Sequence, residues 1–427
     1  MDQHSVIPPS SLFILWPGDQ PPMAEEVRLR LAEWGHAAAE MGDEQAEDTL
    51  WSFWFELADR PASTFIWCEP VSDSHRMLLD YVHWRTAAQR KQAFECRWMV
   101  GLEGPISLRE PTSDYQLQLR LCEAISCDWS PVIFDASALI YRSIDDVRLL
   151  TDAETPPRKS SLYSIHKVRS TPEGASPTCY WVHTHGLERA GIPDLEIMGV
   201  PQAWLGSACE LIDAVADLWI EFSTPDPEVP FAIGGGLDIA WRPWQAIAAE
   251  GDPRAVGGRN YRGPDQGHSG FRAVLVAPEK DRDGEIAWRQ PIEVLRRISR
   301  SETTLYKTVQ ESRRMARLAK ERWGTFGILF ASPHPPDWRF AVKLSFPMED
   351  EPRHGEHLWF DVLAIRPGEV MGRLVSVPSY LGRQSIPGTG WQELRRLSDW
   401  RIVTPQGVFD PENAGVLLEE RLTLQHV

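Results

Sequence analysis

The chain has 427 residues, with 61 Asp and Glu against 44 Lys and Arg, a formal net charge of −17. Hydrophobic residues at 42% and charged residues at 25% exclude a mainly disordered, fibrous or coiled-coil chain. A negative field of that size repels phosphate backbones, so nucleic acid is not an expected partner, and no apolar run is long enough for a membrane helix.

The length predicts several domains. In chain order, Ser11–Trp16 reads as a strand closed by Pro17-Gly18, and residues 22–41 read as an amphipathic helix. Trp51–Leu57 and Thr64–Cys68 read as a strand pair around Asp59-Arg60-Pro61, and residues 76–100 read as helical. Residues 1–110 hold 18 acidic and 9 basic residues, about half of the net charge.

A helix is predicted over Tyr115–Ile125, a buried strand over Pro131–Phe134 and a helix start at Asp145–Leu150. Cys179–His185 reads as a strand ending at Gly186, and Ala208–Ile220 as an amphipathic helix. Phe231-Ala232-Ile233 runs into Gly234-Gly235-Gly236. Residues 251–270 hold six glycines and two prolines, a loop long enough to be functional or mobile. Strands follow at Phe271–Ala277 and Ile286–Trp288.

Residues 291–323 are helical in pattern with one break and carry nine basic and four acidic residues, read as a solvated helix face. Three prolines within 333–337 mark a boundary. Strands are then predicted over Trp338–Phe346, Leu358–Ile365, Val370–Val377 and Trp391–Val403. The fold class is therefore α+β and multi-domain: 1–110 and 111–290 as α+β domains, 291–335 as a helical connector, and 336–427 as a small β-rich domain, barrel-like or a curved sheet.

Six cysteines, at 68, 96, 122, 127, 179 and 209, form no C-x-x-C pair and read as reduced, mostly buried thiols. The N-terminus Met1-Asp2-Gln3-His4 lacks a signal-peptide pattern, so a cytoplasmic location is expected. The 19 tryptophans are scattered, which suits core filling better than a single aromatic surface.

His183-Thr184-His185 is the sharpest chemical feature. Residues two apart on a strand share a face, so the two imidazoles supply half of a tetrahedral metal site. Asp194 and Glu196, past the Gly191-Ile192-Pro193 turn, are the candidates to complete it. The competing reading is a pair of hydrogen-bonded structural histidines. His354-Gly355-Glu356-His357 matches neither H-E-x-x-H nor H-x-x-E-H. Glu349-Asp350-Glu351 reads as a solvated turn. No P-loop, G-x-G-x-x-G or G-x-S-x-G is present, and no cofactor is expected.

Gly355–Val362 (GEHLWFDV), Gly368–Leu374 (GEVMGRL), Pro378 and Leu397–Ile402 (LSDWRI) resemble the domain-of-unknown-function family 2314 over about residues 312–425. Glu356, His357, Trp359, Asp399 and Trp400 are its motif positions here. Trp181–Leu187 (WVHTHGL), Gly191–Ile197 (GIPDLEI) and Pro230-Phe231 resemble domain-of-unknown-function family 4026, over much of residues 1–290. The resemblance implies a bacterial protein and transfers no catalytic residue. Related small families resemble immunity proteins of bacterial toxin systems, which act by binding. The first functional expectation is thus a non-enzymatic, immunity-like or regulatory protein whose negative charge steers a protein partner. The second is a metal-dependent hydrolase using His183 and His185.

Overall fold

The computed structural model describes residues 7–34, 38–43, 48–57, 63–82, 84, 86–126, 129–170, 178–251, 256–262, 268, 270–280, 283–347, 355–378 and 388–418. The chain divides into two compact units. One holds residues 1–148 and 158–308, the other residues 149–157 and 309–427. Helices and three sheets are present among the described residues, so the class is α+β and multi-domain.

The first unit contains two sheets. The first comprises β1 (Ser10–Trp16), β2 (Ala38–Asp43), β3 (Trp51–Leu57), β4 (Ser63–Pro70), β5 (Trp98–Gly104), β6 (Val132–Asp135) and β7 (Ile140–Ser143). Their order is β2-β3-β4-β5-β1-β6-β7, antiparallel throughout. β1 lies between β5 and β6, so it is buried on both faces and reads as an unbroken apolar run. The helix Pro111–Ser126 buries Tyr115, Leu119, Cys122 and Ile125.

Two helical expectations are corrected here. The helix expected over 22–41 is formed at Ala24–Glu33, whereas Ala38–Asp43 becomes β2 by pairing with β3. Residues 76–100 split into helices Asp73–Asp80 and Ala87–Glu95 and the start of β5, because Cys96 turns extended and residues 98–104 pair with strands on both sides. Long-range ladder bonds override local helical spacing at both places. The Asp59-Arg60-Pro61 turn lies outside the described residues.

The second sheet comprises β8 (Ser164–Ser170), β9 (Cys179–His185), β10 (Asp194–Pro201), β11 (Phe231–Gly234), β12 (Leu237–Pro243), β13 (Arg272–Lys280) and β14 (Ile286–Arg289). Its order is β11-β12-β13-β10-β9-β8, with β14 on β13. Only the β10–β13 pair is parallel among these strands. The helix Leu205–Phe222 lays Leu211, Ile212, Val215 and Trp219 into the core, as its apolar spacing dictates. The helix Ile292–Ser299 closes the unit's described helices, burying Val294, Leu295 and Ile298.

In the second unit, the helices Val309–Glu321 and Trp323–Ala331 accompany a six-stranded antiparallel sheet. Its strands are β15 (Arg339–Pro347), β16 (Gly355–Arg366), β17 (Glu369–Leu374), β18 (Thr389–Glu393), β19 (Leu397–Thr404) and β20 (Gly407–Phe409), ordered β18-β17-β16-β15-β19-β20. The sheet is open and no barrel closes. Phe340, Val342 and Leu344 alternate with outward residues along β15, and Leu358, Phe360 and Val362 do so along β16. Together with Phe326 and Trp400 they form the unit's core. Trp181, Trp219 and Trp400 are fully buried, in line with a core-filling role for tryptophan. Cys68, Cys96 and Cys122 are buried and unpaired.

Candidate metal centre

β9 places Trp181, His183 and His185 on one face, because its side chains alternate. The ring of Trp181 stacks on His183 at 4.0 Å between centroids. β8 runs antiparallel to β9 with His166 opposite His183 and Ser164 opposite His185. Directly opposed residues share a face and stand within contact of each other. The ladder therefore adds His166 to the pair, and one ring nitrogen from each of the three lies within 4.8 Å of the others.

A fourth imidazole comes from the glycine-rich loop. His268 Nε2 lies 3.2 Å from His183 Nε2. His268 thus adjoins His183 at the edge of the three-histidine group. Its ring centroid is 5.1 Å from that of His185. Nδ1 of His183 and Nδ1 of His268 are buried and lack a hydrogen-bond partner among the described residues.

Electrostatics lower the proton affinity of all four rings. Burial pushes His183 and His185 well below the ordinary imidazole range, with neighbouring imidazoles and Arg272 adding to the effect. Burial first, then Arg272 and Arg262, bring His268 down to about 4. His166 is lowered by burial and by Arg272. A metal binds the unprotonated ring, so lowered proton affinity favours ligation over protonation.

Asp194 and Glu196 have other work. β10 sets Glu196 opposite His183, but the Glu196 carboxylate accepts from Arg262 at 2.5 and 3.0 Å and from Arg272 at 3.3 Å. It also accepts from the Trp181 indole at 3.3 Å. Asp194 Oδ1 accepts from the Thr184 hydroxyl at 2.7 Å and from the Leu187 amide at 3.2 Å. Its Oδ2 lies 3.5 Å from Arg272. The two carboxylates thus offset the two arginines, while His166 and His268 bring the further ring nitrogens to the pair. Arg272 Nη2 reaches to 3.4 Å from His185 Nδ1, the long limit of a hydrogen bond.

The cluster opens on a cavity of about 560 Å³ lined by the second sheet, the turn between β6 and β7, and Leu78 and Tyr81. The four histidines, Glu188, Asp194 and Arg272 form its polar end, and Leu78, Leu139, Val168 and Trp181 line the apolar part. An apolar cavity with a few convergent polar groups is the usual form of a small-molecule site.

The motif positions of the second unit do not form one cluster. Trp400 is fully buried in the core, its indole donating to the Ala319 carbonyl at 3.0 Å. His357 and Trp359 face outward on β16. His357 Nδ1 is 2.8 Å from Ser398 Oγ, and the Trp359 ring is covered by Arg401 at 4.2 Å and Lys343 at 5.6 Å. Glu356 stands opposite Phe346, and Asp399 accepts the Trp400 amide. His354 and the acidic turn 349–351 lie outside the described residues.

Reading the sequence missed His166, His268 and Glu188. The His166 strand carries no strong apolar pattern, and its value depends on register with β9. The loop holding His268 was legible from its length only as functional or mobile.

Residues 165–276 match the family model described as Protein of unknown function (DUF4026) C-terminal. The matched span includes all four histidines, Glu188 and both arginines. No curated protein and no solved structure matches the chain.

Proposed function

We propose that this protein is a metal-dependent hydrolase whose His166, His183 and His185 hold a divalent transition metal, with His268 beside the open fourth position. One observation carries the reading: the β8–β9 register converges three imidazoles whose ring nitrogens lie within 4.8 Å of one another beside a cavity. An all-imidazole donor set suits zinc, copper, iron or nickel over magnesium or calcium, which take oxygen. Three histidines with a further exchangeable position form the donor set of catalytic zinc in carbonic anhydrase. Such an ion polarises a substrate carbonyl and acidifies water.

Elemental analysis of protein purified without a histidine tag tests this. Near-stoichiometric zinc, or uptake of added zinc at micromolar concentration, is expected. His183→Ala and His185→Ala each weaken zinc binding by more than about 100-fold, beyond the 10–100-fold typical of residues behind the ligands. Wild-type protein that neither retains nor takes up zinc, copper, iron or nickel overturns the reading.

The net charge of −17 supports an additional role in steering a basic protein partner. The likeness of the second unit to family 2314, and of residues 1–164 to family 4026, belongs to this same proposal. So does a cytoplasmic location.

A further inference from the structure

Glu188 lines the same cavity as the four histidines. It sits in the single turn Leu187–Ala190, between Gly186 and Gly191, whose φ values are +111° and +75°. At Gly186 a Cβ would lie 2.6 Å from the Leu162 carbonyl oxygen, so only glycine lets the chain turn there.

The turn is fastened from below. Arg189, 1% exposed, donates both Nη groups to Asp135, at 3.0 and 2.9 Å, and also donates to Ser10 Oγ and the Leu162 carbonyl. The neighbouring Glu188 is thereby presented to the cavity on a rigid mount. Its carboxylate accepts the Phe271 amide and packs on Gly270, where a Cβ would come within 2.6 Å of Oε1. Burial, and then Asp194, raise its proton affinity, while Arg272 opposes them. A carboxylate raised in this way is a stronger base than an exposed one.

The cavity's charges bear on what enters it. Arg189 is committed to Asp135, and Arg272 to Glu196 and Asp194. Both arginines thus already carry carboxylate partners, and Leu78, Leu139 and Val168 add apolar lining.

We propose that Glu188 is the proton-transfer residue of this site, acting on an uncharged ester or amide whose apolar part lies against Leu78, Leu139 and Val168. This rests on the metal-centre reading. The Glu188 carboxylate takes a proton from water as the water oxygen bonds to the substrate carbonyl carbon. As the bond from the carbonyl carbon to the leaving oxygen or nitrogen breaks, that atom takes the proton from Glu188 and leaves as neutral alcohol or amine. The sum is substrate plus water giving acid plus alcohol or amine, with no redox change.

Three measurements on the full chain separate this inference from the metal reading. Zinc titration of wild type and Glu188→Gln should give affinities within about 3-fold, since Glu188 is not a ligand. Carbon-13 NMR of glutamate carboxyls, with Glu188→Gln identifying the resonance, should show Glu188 titrating above ordinary glutamate and moving down when zinc is added. Hydrolysis of 4-nitrophenyl butyrate by the zinc-loaded protein should fall at least 100-fold in Glu188→Gln, within the usual span of a lost acid–base group. It should also exceed hydrolysis of the anionic 4-nitrophenyl hemisuccinate. If zinc binds but the Glu188 resonance does not move and the variant hydrolyses like wild type, the role of Glu188 is overturned and the metal centre stands. Preference for the hemisuccinate overturns the uncharged substrate class. Absence of zinc binding overturns the metal centre itself.

Discussion

Arg189 and Asp135 are each about 1% exposed and bridge the two sheets of the first unit. Removing one member of such a pair strands the other charge in a dry interior, which costs about 3–5 kcal/mol. Arg189→Ala should therefore lower the unfolding free energy of this unit by that amount in denaturant titration. Arg189→Met combined with Asp135→Leu should recover part of it, because the stranded partner charge is gone while Arg142, the Tyr115 hydroxyl and the Ala138 amide still lose Asp135. The histidines make a second prediction at this scale. Their native proton affinities are lowered, so the unfolded chain binds more protons than the native one at mildly acid pH. Stability is then full above about pH 6.5 and declines as pH falls toward about 4, the value for His268. Thermal unfolding of metal-free protein across that range should show the midpoint falling. In His183→Ala the decline should be shallower.

Strand register governs the site at the level of elements. The period of two puts His183 and His185 together on β9 whatever their neighbours do. His166 joins them only because β8 pairs with the offset it has, and a slip of one residue would turn its ring to the opposite face. Gly186 fixes where β9 ends and the Glu188 turn begins. Gly186→Ala meets both a left-handed φ and the Leu162 carbonyl. It should cost about 1–3 kcal/mol by denaturant titration and weaken zinc binding together with hydrolysis. The helix predicted over 22–41 shows the same physics from the other side. Its apolar spacing is honoured in Ala24–Glu33, but residues 38–43 gain ladder bonds to β3.

At the scale of the whole molecule, each unit carries its own core. The core of the second unit gathers Phe326, Phe340, Phe360 and Trp400, and Phe326 is fully buried. Phe326→Ala should destabilise that unit by about 3–5 kcal/mol, read by denaturant unfolding. Zinc affinity should stay within about 2-fold of wild type, since all four histidines belong to the first unit. A matching loss of zinc affinity would place the metal ligands in the second unit's folding transition. The uneven charge also acts at this scale. The acidic excess of residues 1–110 sets a long-range field that hastens the approach of cations, metal ions included.

Local signals in the chain determined much of this protein. Continuous apolar runs marked β1 and β6, short runs bounded by turn residues marked β9 and the strands of the second unit, and helical spacing over 115–125 and 208–220 marked the cores of Pro111–Ser126 and Leu205–Phe222. The same-face placement of His183 and His185 was equally local, since it follows from strand geometry alone. What joined them was decided in three dimensions. His166 is 17 residues and His268 is 85 residues from His183 in the chain, and no spacing rule links them. Asp194 and Glu196 looked like ligands by proximity, yet two buried arginines from distant segments claim their charge. Burial settled the rest: an imidazole's proton affinity and a carboxylate's partner depend on which atoms surround them, and only the folded chain supplies those atoms.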